Sequence, residues 1–348
     1  MNFSYGTHEV RVVFGAGALA SLPAELERAG LRRVMLLTTP GRAARRTGLL
    51  ELSGDRIAGE FTGARLHVPV EVVAEARAAL ERCHPESLLA FGGGSAIGLG
   101  KALAHATQLP LAAIATTYSG SEMTAVWGTS DGTVKRTFRN PEVAPRLVIY
   151  DPELTKGLSL EVSAASGMNA IAHCVEAEYA PEAGPVTSWF ALDGLRRLAG
   201  SLPVVVESPG DSGARSEALL GAHFAGRALD MTSMGLEHKL AHILGGSFGL
   251  NHAEAHAALV PWVTLYNAPA APEAMGRMAA ALGVEDAAAA LADLARRLRI
   301  KPLSEIGFTT DDIPRATELA LKLTFPNPRP VDAEGVEWIL RCALRGST

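Results

Sequence analysis

The chain has 348 residues, of which 48% are hydrophobic, and it carries a net charge of −5. This charge balance excludes the strongly basic surface of a nucleic-acid-binding protein, and the length favours two domains. The three cysteines are scattered, as is typical of reduced thiols in a cytoplasmic protein. We see no secretory signal and no uninterrupted apolar run of the ~18 residues that a membrane span needs, so we expect no membrane association.

The first part of the chain alternates short apolar runs with helix-like stretches. The runs that read as strands are Val34–Thr39, Ser87–Phe91, Leu111–Ala115 and Leu147–Tyr150. The intervening segments Glu71–Cys83 and Ala96–Thr107 have helical composition. Strands that alternate with helices of this length predict βαβ units and a parallel sheet.

After Asp151-Pro152 the pattern becomes helical throughout. The predicted helices are separated at Gly184-Pro185, Pro203, Pro209-Gly210 and Gly245-Gly246, and the alanine-rich stretch Met278–Leu298 has high helix propensity. We therefore predict an α/β dinucleotide-binding domain over residues 1–153 and an all-helical domain over residues 154–348.

Two glycine-rich segments follow predicted strands. Gly15–Ala20 matches G-x-G-x-x-A, but the acidic residue expected about 20 positions later is missing, because the next strand ends in Thr38 and Thr39. A turn into a helix is the preferred interpretation there. Gly92–Ser95 instead closes one strand and opens a helix, which directs bare backbone amides at one point and favours phosphate binding by Gly93, Gly94 and Ser95.

The small polar residues after the next strand are candidates for holding the rest of a nucleotide. They are Thr116, Thr117, Tyr118 and Ser121. Thr38 and Thr39 end another strand, where an acidic side chain would bind a ribose hydroxyl and repel a 2′-phosphate. Threonine carries no such charge, so we expect either NADH or NADPH to be accepted.

Histidines recur at helical spacing in the second part of the chain. Asn169 and His173 are four residues apart within the predicted helix Val162–Ala180, and His238 and His242 repeat this spacing with Lys239 beside them. His252 and His256 follow a glycine break. Imidazoles grouped in this way are typical of a metal site or a proton-transfer site.

Four motifs resemble the iron-containing alcohol dehydrogenase and dehydroquinate synthase-like superfamily. They are GGGSxxGxxK at Gly92–Lys101, TTYSGSEMT at Thr116–Thr124, SGMNAIAHCVEAEYA at Ser166–Ala180 and GLEHKLAHILGGSFGLNHAEAH at Gly235–His256. The resemblance implies a Rossmann-like α/β domain followed by an all-α domain. It also implies an oxidoreductase that forms a homodimer.

Metal-dependent members of this superfamily bind their ion through an Asp and three His, which map to Asn169, His173, His238 and His252. Asn169 is a neutral amide at the Asp position, so the set lacks its anionic ligand, and Lys239 adds a nearby positive charge. Both changes disfavour a divalent metal. We therefore expect no metal, although three histidines could still hold zinc.

Asn169, TTYxGSEMT and HKLxH together are similar to the maleylacetate reductase branch, whose members use NADH or NADPH to reduce the carbon–carbon double bond of maleylacetate to 3-oxoadipate in aromatic degradation. The chain departs from the usual branch pattern at Glu237 (His), Ala241 (Cys) and Asn251 (Pro). A different substrate within the branch is therefore an open alternative.

The resemblance also implies roles for individual residues. The candidate proton donors are His173, His238, His242 and His252, with His242 favoured from its family position. Lys239 would provide a fixed positive charge for a dicarboxylate substrate, and Asn169, His173, His242 and His252 would also contact that substrate. The alternatives are a metal-dependent alcohol or polyol dehydrogenase, a sugar-phosphate cyclase or glycerol-phosphate dehydrogenase relative, and a nucleotide-binding protein without catalysis.

Overall fold

The computed structural model describes residues 3–132 and 135–347. The chain forms two compact units. The α/β unit comprises residues 8–117 and 121–157, and the helical unit comprises residues 158 onward together with Tyr118–Gly120 and the N-terminal segment up to Thr7. The predicted boundary at residue 153 lies within a 3₁₀ turn, Pro152–Thr155, close to the end of the α/β unit.

The α/β unit is built on a six-stranded sheet in the order β1-β8-β5-β4-β2-β3, in which every neighbouring pair is parallel. A separate antiparallel hairpin pairs β6 with β7. The strands are β1 Arg11–Phe14, β2 Val34–Leu37, β3 Ile57–Phe61, β4 Ser87–Gly92, β5 Leu111–Ala115, β6 Val126–Ser130, β7 Lys135–Arg139 and β8 Leu147–Tyr150. The predicted parallel sheet is confirmed, whereas β3, β6 and β7 were not predicted.

The central strands are uninterrupted apolar runs because they are buried on both faces. Every residue of β2, β4, β5 and β8 is buried, as expected for a parallel sheet covered by helices. The helices of this unit are α1 Leu22–Arg28, α2 Ala43–Ser53, α3 Val70–Cys83 and α4 Gly94–Thr107. One apolar cluster joins α1 to the sheet through residues that include Leu22, Leu26, Leu36, Leu89 and Ile114.

The strand order reverses between β2 and β4. From β2 the chain continues outward to β3, whereas from β4 it continues in the opposite direction to β5. In open parallel sheets a ligand binds at the carboxyl ends of the strands beside such a reversal. This edge of the sheet carries the residues that follow β2, β4 and β5.

The helical unit contains α5 Leu160–Tyr179, α6 Pro185–Glu207, α7 Ser212–Asp230, α8 Leu236–Phe248, α9 His252–Asn267, α10 Pro272–Leu282, α11 Ala287–Arg297, α12 Ile313–Leu321 and α13 Ala333–Arg345. An apolar cluster from α8, α9, α12 and α13 includes Leu240, Leu259, Trp262, Ile339 and Leu340. Among the residues that the structure describes, no helix has the length and apolar character needed to cross a bilayer.

Several predicted helix boundaries were wrong. Pro203 lies inside α6, and Gly245-Gly246 lies inside α8, which ends instead at Gly249 with φ +73°. The alanine-rich stretch Met278–Leu298 is helical on both sides of Gly283, which adopts φ +69° and ends α10 before α11 begins. Tertiary packing outweighs the roughly 1 kcal/mol cost of a glycine in a helix, whereas a left-handed glycine provides a helix end directly.

Candidate active site

The second glycine-rich loop forms a bare helix N-terminus. Gly93 is the N-cap of α4 and provides no side-chain hydrogen bond to its first turn. A Cβ on Gly93 would lie 2.6 Å from Oγ1 of Thr117, whereas a Cβ on Gly94 would have nothing within 4 Å. The backbone can therefore approach Thr117 closely, and open space lies over Gly94, as phosphate binding at a helix start requires.

The other polar residues predicted to bind a nucleotide follow the strands on either side of β4. Thr116 and Thr117 follow β5, and Thr38 and Thr39 follow β2. Because β2, β4 and β5 are adjacent and parallel, these threonines and the glycine loop lie along one edge of the sheet. Oγ1 of Thr38 is buried and has no hydrogen-bond partner within the described ranges.

The first glycine motif has a structural use. Its backbone leads into a short 3₁₀ helix, Ala18–Ser21. The amides of Gly17 and Leu19 donate to the two carboxylate oxygens of Asp151, each at 3.1 Å. An internal carboxylate thus takes the place that a phosphate would occupy, which agrees with the preferred interpretation of Gly15–Ala20 as a turn.

The polar segment Thr116–Thr124 is shared between the two units. Tyr118–Gly120 belongs to the helical unit, whereas the flanking residues belong to the α/β unit. Within the α/β unit, the buried ammonium of Lys101 donates to the carbonyl oxygens of Ser121 and Val126, at 2.5 and 2.8 Å. This lysine of the GGGSxxGxxK motif therefore fixes the backbone that carries Ser121.

Helix α5 places Asn169 and His173 on one buried face. Ser159 caps the helix by accepting a hydrogen bond from the amide of Val162. Oδ1 of Asn169 and Nδ1 of His173 are buried without hydrogen-bond partners among the residues described. Burial and the neighbouring His238 and His256 hold the pKa of His173 well below its ordinary 6.5, so His173 is a neutral imidazole.

Helix α8 is joined to α5 by the carboxylate of Glu176. This side chain accepts from the amides of Gly235 and Glu237, at 2.6 and 2.7 Å, and so caps the α8 N-terminus. It also contacts Nδ1 of His238 at 2.7 Å. Burial alone would lower the pKa of His238, but the charge and hydrogen bond of Glu176 outweigh it and raise that pKa. The Nε2 atom of His238 is buried without a partner in the described part of the chain.

A second carboxyl group, Glu237, contacts His256. Nδ1 of His256 lies 2.8 Å from each carboxyl oxygen of Glu237, and its Nε2 lies 3.2 Å from Nε2 of His252. Burial, reinforced by the charge of Glu176, raises the pKa of Glu237 well above its ordinary value. Hydrogen bonds therefore link Glu237, His256 and His252 in this order. Glu237 and His256 are buried, whereas His252 is half-buried.

His242 and Lys239 are half-buried and more accessible than His173 and His238. The ring of His242 stacks on that of His252, with centroids 5.4 Å apart and planes at 17°. The ring of His173 stacks on that of His238 at 5.1 Å. Lys239 has no carboxylate within salt-bridge distance in the described parts of the chain. The structure thus brings the predicted histidines His173, His238, His242 and His252 into one cluster.

The sequence reasoning missed the roles of Glu176 and Glu237 and left His256 outside the predicted site. Glu176 follows His173 by three residues, which places both on one helix face. A carboxylate on the same face as the predicted site residue was the available signal. Glu237 was noted only as a departure from the branch pattern. Its partner His256 is distant in sequence, so only the fold reveals the contact.

A possible cation-binding group lies beside the family's metal position. Glu237, His238 and His256 each place one ligand atom within 4.8 Å of the others. The Nδ1 atoms of both histidines already contact carboxyl groups, those of Glu176 and Glu237. An ion bound through these Nδ1 atoms would have to displace both hydrogen bonds.

Comparison with known proteins places both units in one family. Residues 9–152 match the family model for iron-containing alcohol dehydrogenase. Residues 163–344 match the model for the C-terminal part of the Fe-containing alcohol dehydrogenase family.

Individual relatives cover almost the whole chain. Maleylacetate reductase 1 of Cupriavidus pinatubonensis is 44% identical over 337 residues, which is 97% of this chain and 95% of the relative. The crystal structure of maleylacetate reductase from Agrobacterium tumefaciens matches with a TM-score of 0.94 and 41% identity, covering 100% of this chain and 99% of that one. A putative alcohol dehydrogenase structure from Ralstonia eutropha JMP134 matches with a TM-score of 0.97 and 45% identity, covering 99% of both chains. The chain therefore belongs to the iron-containing alcohol dehydrogenase family of oxidoreductases, in its maleylacetate reductase branch.

Proposed function

We propose that this oxidoreductase is an NADH- or NADPH-dependent maleylacetate reductase that works without a metal ion. The observation that carries the proposal is that none of the four metal-ligand positions holds a carboxylate and that a half-buried lysine beside them lacks a carboxylate partner in the described chain. Amide and imidazole N–H donors, together with a cation that has no carboxylate partner, suit an anionic substrate better than a divalent ion. The relatives named maleylacetate reductase at 41–46% identity support the substrate assignment.

The cofactor would lie along the carboxyl edge of the sheet. Gly93, Gly94 and Ser95 at the start of α4 are the proposed ligands of its phosphates, because the amides of that turn have no side-chain cap. Thr38 and Thr39 would contact the ribose. The proposed contacts of the remaining nucleotide are Thr116, Thr117, Tyr118 and Ser121. The Tyr118 ring is fully buried, so this residue would contribute through its backbone.

The donor set fits a resident divalent metal poorly. Asn169 offers an uncharged oxygen in place of a carboxylate, and Nε2 of His252 is engaged by His256. His173 and His238 each offer a buried ring nitrogen without a partner within the described residues. Two imidazoles and an amide offset none of the charge of a divalent ion. We therefore assign these residues to substrate binding and proton transfer.

The protein's own side chains would hold the substrate and supply a proton. When bound, the reduced nicotinamide supplies the hydride. Lys239 would bind a substrate carboxylate, and donors in the histidine cluster would stabilise negative charge that develops on the ketone oxygen. His242 is the proposed proton donor, because it is half-buried and stacks on His252. Asn169, His173 and His252 would complete the substrate contacts, with Glu176 fixing the orientation of His238.

We also propose that the enzyme is a cytoplasmic homodimer, as the family resemblance suggests. The scattered free cysteines agree with a reducing compartment. Light scattering on the eluting protein would test the dimer, with a mass of twice 36.4 kDa expected.

The test uses enzyme treated with a chelator and freshly prepared maleylacetate, with NADH and NADPH consumption followed separately. Activity that survives chelation and is unchanged by added zinc or iron supports the proposal. Activity that appears only after metal is added, with a simple aldehyde as substrate, would instead assign the chain to the metal-dependent alcohol dehydrogenases. The matched variant Asn169→Asp restores the family's anionic ligand, so metal bound by wild type and variant can be compared by elemental analysis.

A further inference from the structure

Arg215 is a buried cation that the reaction described above does not use. It lies in the first turn of α7, and its side chain is fully buried. Its Nη1 donates to the hydroxyl oxygens of Tyr118 and Ser163, at 3.0 and 2.8 Å, and its Nε donates to the carbonyl oxygen of Pro209 at 3.1 Å. Its Nη2 has no partner in the described chain.

The partners of this guanidinium are all uncharged. A buried arginine is ordinarily paired with a carboxylate, because burial of an unpaired charge is unfavourable. An apolar side chain of similar volume would fill the same space without the unfavourable free energy of burying a charge. The arrangement is therefore better explained by what Arg215 holds in place than by its contribution to folding.

The segment that it holds is Tyr118–Gly120. The amide of Tyr118 donates to Oγ of Ser166 on α5, at 3.3 Å. Gly120 has φ +69° and packs so closely on α7 that a Cβ would lie 3.0 Å from the carbonyl oxygen of Ala222. The three residues are thus fixed to α5 at one end and to α7 at the other.

The middle residue of the segment contacts Asn169. The Nδ2 of Asn169 donates a long hydrogen bond, of 3.5 Å, to the carbonyl oxygen of Ser119, and in this orientation Oδ1 turns away from that carbonyl. Oγ of Ser119 and Oδ1 of Asn169 are both buried and have no partner within the described residues. Two neighbouring residues with unsatisfied polar atoms are expected where a ligand completes the hydrogen bonding.

We propose that Arg215 is a positioning residue which, through Tyr118, holds Ser119 and Asn169 as one polar unit that contacts the substrate. Arg215 acts through the Tyr118 hydroxyl and touches no reacting atom. Ser119 becomes a further substrate-binding residue, with its hydroxyl available to donate to a substrate oxygen. The expected change in KM rests on the proposed reductase function. The positioning of Ser119 and Asn169 by Arg215 does not depend on it.

The kinetic test compares Tyr118→Phe, Ser119→Ala and the double variant with wild type. Each single variant is expected to raise KM for maleylacetate about tenfold, the effect of losing one hydrogen bond to a charged group, and Ser119→Ala should keep the Kd for NADH within about twofold of wild type. Because both act on one unit, the double variant should raise KM much less than a hundredfold. Tyr266→Phe is the control, since it removes a tyrosine hydrogen bond elsewhere in the helical unit, to the carbonyl of Pro330, and should leave KM unchanged. Fully multiplicative effects in the double variant would overturn the inference.

A structural readout separates failure of this inference from failure of the proposed function. In protein labelled with ¹⁵N-asparagine, the side-chain amide signal of Asn169, assigned with Asn169→Ser, should shift in Tyr118→Phe and in Arg215→Met. An unchanged signal in both variants overturns the positioning role whatever the substrate is. A wild-type enzyme inactive on maleylacetate overturns the proposed function, and the amide signal still decides the role of Arg215. If Arg215→Met does not fold, Tyr118→Phe alone decides it.

Discussion

Replacement of Glu176 by glutamine tests whether this carboxylate joins α5 to α8. The wild-type side chain makes three contacts of 2.6–2.7 Å, all buried. Glutamine keeps the shape but has one acceptor oxygen. Its NH₂ group must therefore face the amide of Glu237 in one orientation, or the amide of Gly235 and Nδ1 of His238 in the other. Hydrogen bonds to a charged group contribute about 1.5–3 kcal/mol each, and breaking a buried ion pair costs about 3–5 kcal/mol. We expect the variant to lose about 3 kcal/mol of unfolding free energy, a large part of the 5–15 kcal/mol typical of a folded protein.

The pH dependence of this loss follows from the two pKa shifts. Burial would raise the pKa of Glu176, but the charge of His238 and the hydrogen bonds to Glu176 outweigh it and lower that pKa from 4.5. The contribution of Glu176 to stability is therefore present above pH 4.5 and disappears as pH falls. The pKa of His238 is raised from 6.5, so its contribution is complete below 6.5 and disappears as pH rises through the folded pKa. The difference between wild type and Glu176→Gln should therefore be largest between pH 4.5 and 6.5.

Urea unfolding followed by circular dichroism at several pH values would measure this difference. The control is Glu182→Gln, which alters an exposed carboxylate bound to the amide and hydroxyl of Ser233 and should change stability by less than about 1 kcal/mol. A Glu176→Gln variant as stable as the control at pH 5.5 would refute the reasoning. So would a difference that grows steadily above pH 7.

Four further substitutions test other parts of the molecule. Gly94→Ala should leave stability unchanged or slightly improved, since its Cβ meets no atom within 4 Å, but should raise the Kd for NADH by about tenfold or more by filling the phosphate space. Gly93→Ala should weaken NADH binding and also stability, because its Cβ would overlap Thr117. Thr39→Asp should raise KM for NADPH selectively, through repulsion of the 2′-phosphate. Burial and Arg227 lower the pKa of His223 from 6.5 to about 4, so the wild type should lose up to about 3 kcal/mol of unfolding free energy as pH falls between those values. His223→Gln removes this titration and should therefore lessen the loss of stability in acid.

For the two glycine variants, calorimetric titration measures the Kd for NADH and thermal unfolding measures stability. Equal NADH affinity in Gly94→Ala and wild type would contradict phosphate binding at this turn. For Thr39→Asp, an unchanged ratio of KM for NADPH to KM for NADH would remove the ribose assignment. For His223→Gln, an unfolding free energy that falls as steeply as in wild type between pH 6.5 and 4 would show that other groups carry the acid sensitivity.

The sequence by itself determined the α/β order, the parallel sheet and the glycine loop. Central strands of a parallel sheet are buried on both faces, so they appear as uninterrupted apolar runs such as Leu111–Ala115. A strand that ends in glycines before a helix is likewise a local signal. The hairpin of β6 and β7 escaped prediction. Every residue of β6 is half-buried, so this strand lacks the alternation of buried and exposed positions that marks a strand in a sequence.

Only the tertiary structure decided how the helical site is held together. The sequence grouped the histidines by their spacing, but spacing along one helix says nothing about a contact between residues 59 to 62 positions apart, such as those of Glu176 with the start of α8. The same holds for Arg215, which meets Tyr118 across 97 positions. Pro203 and Gly245-Gly246 remain helical for a related reason. Local propensity favours a break by a few kcal/mol at most, and burial of the surrounding apolar residues outweighs it. These features depend on which elements pack together, and packing is a property of the whole chain.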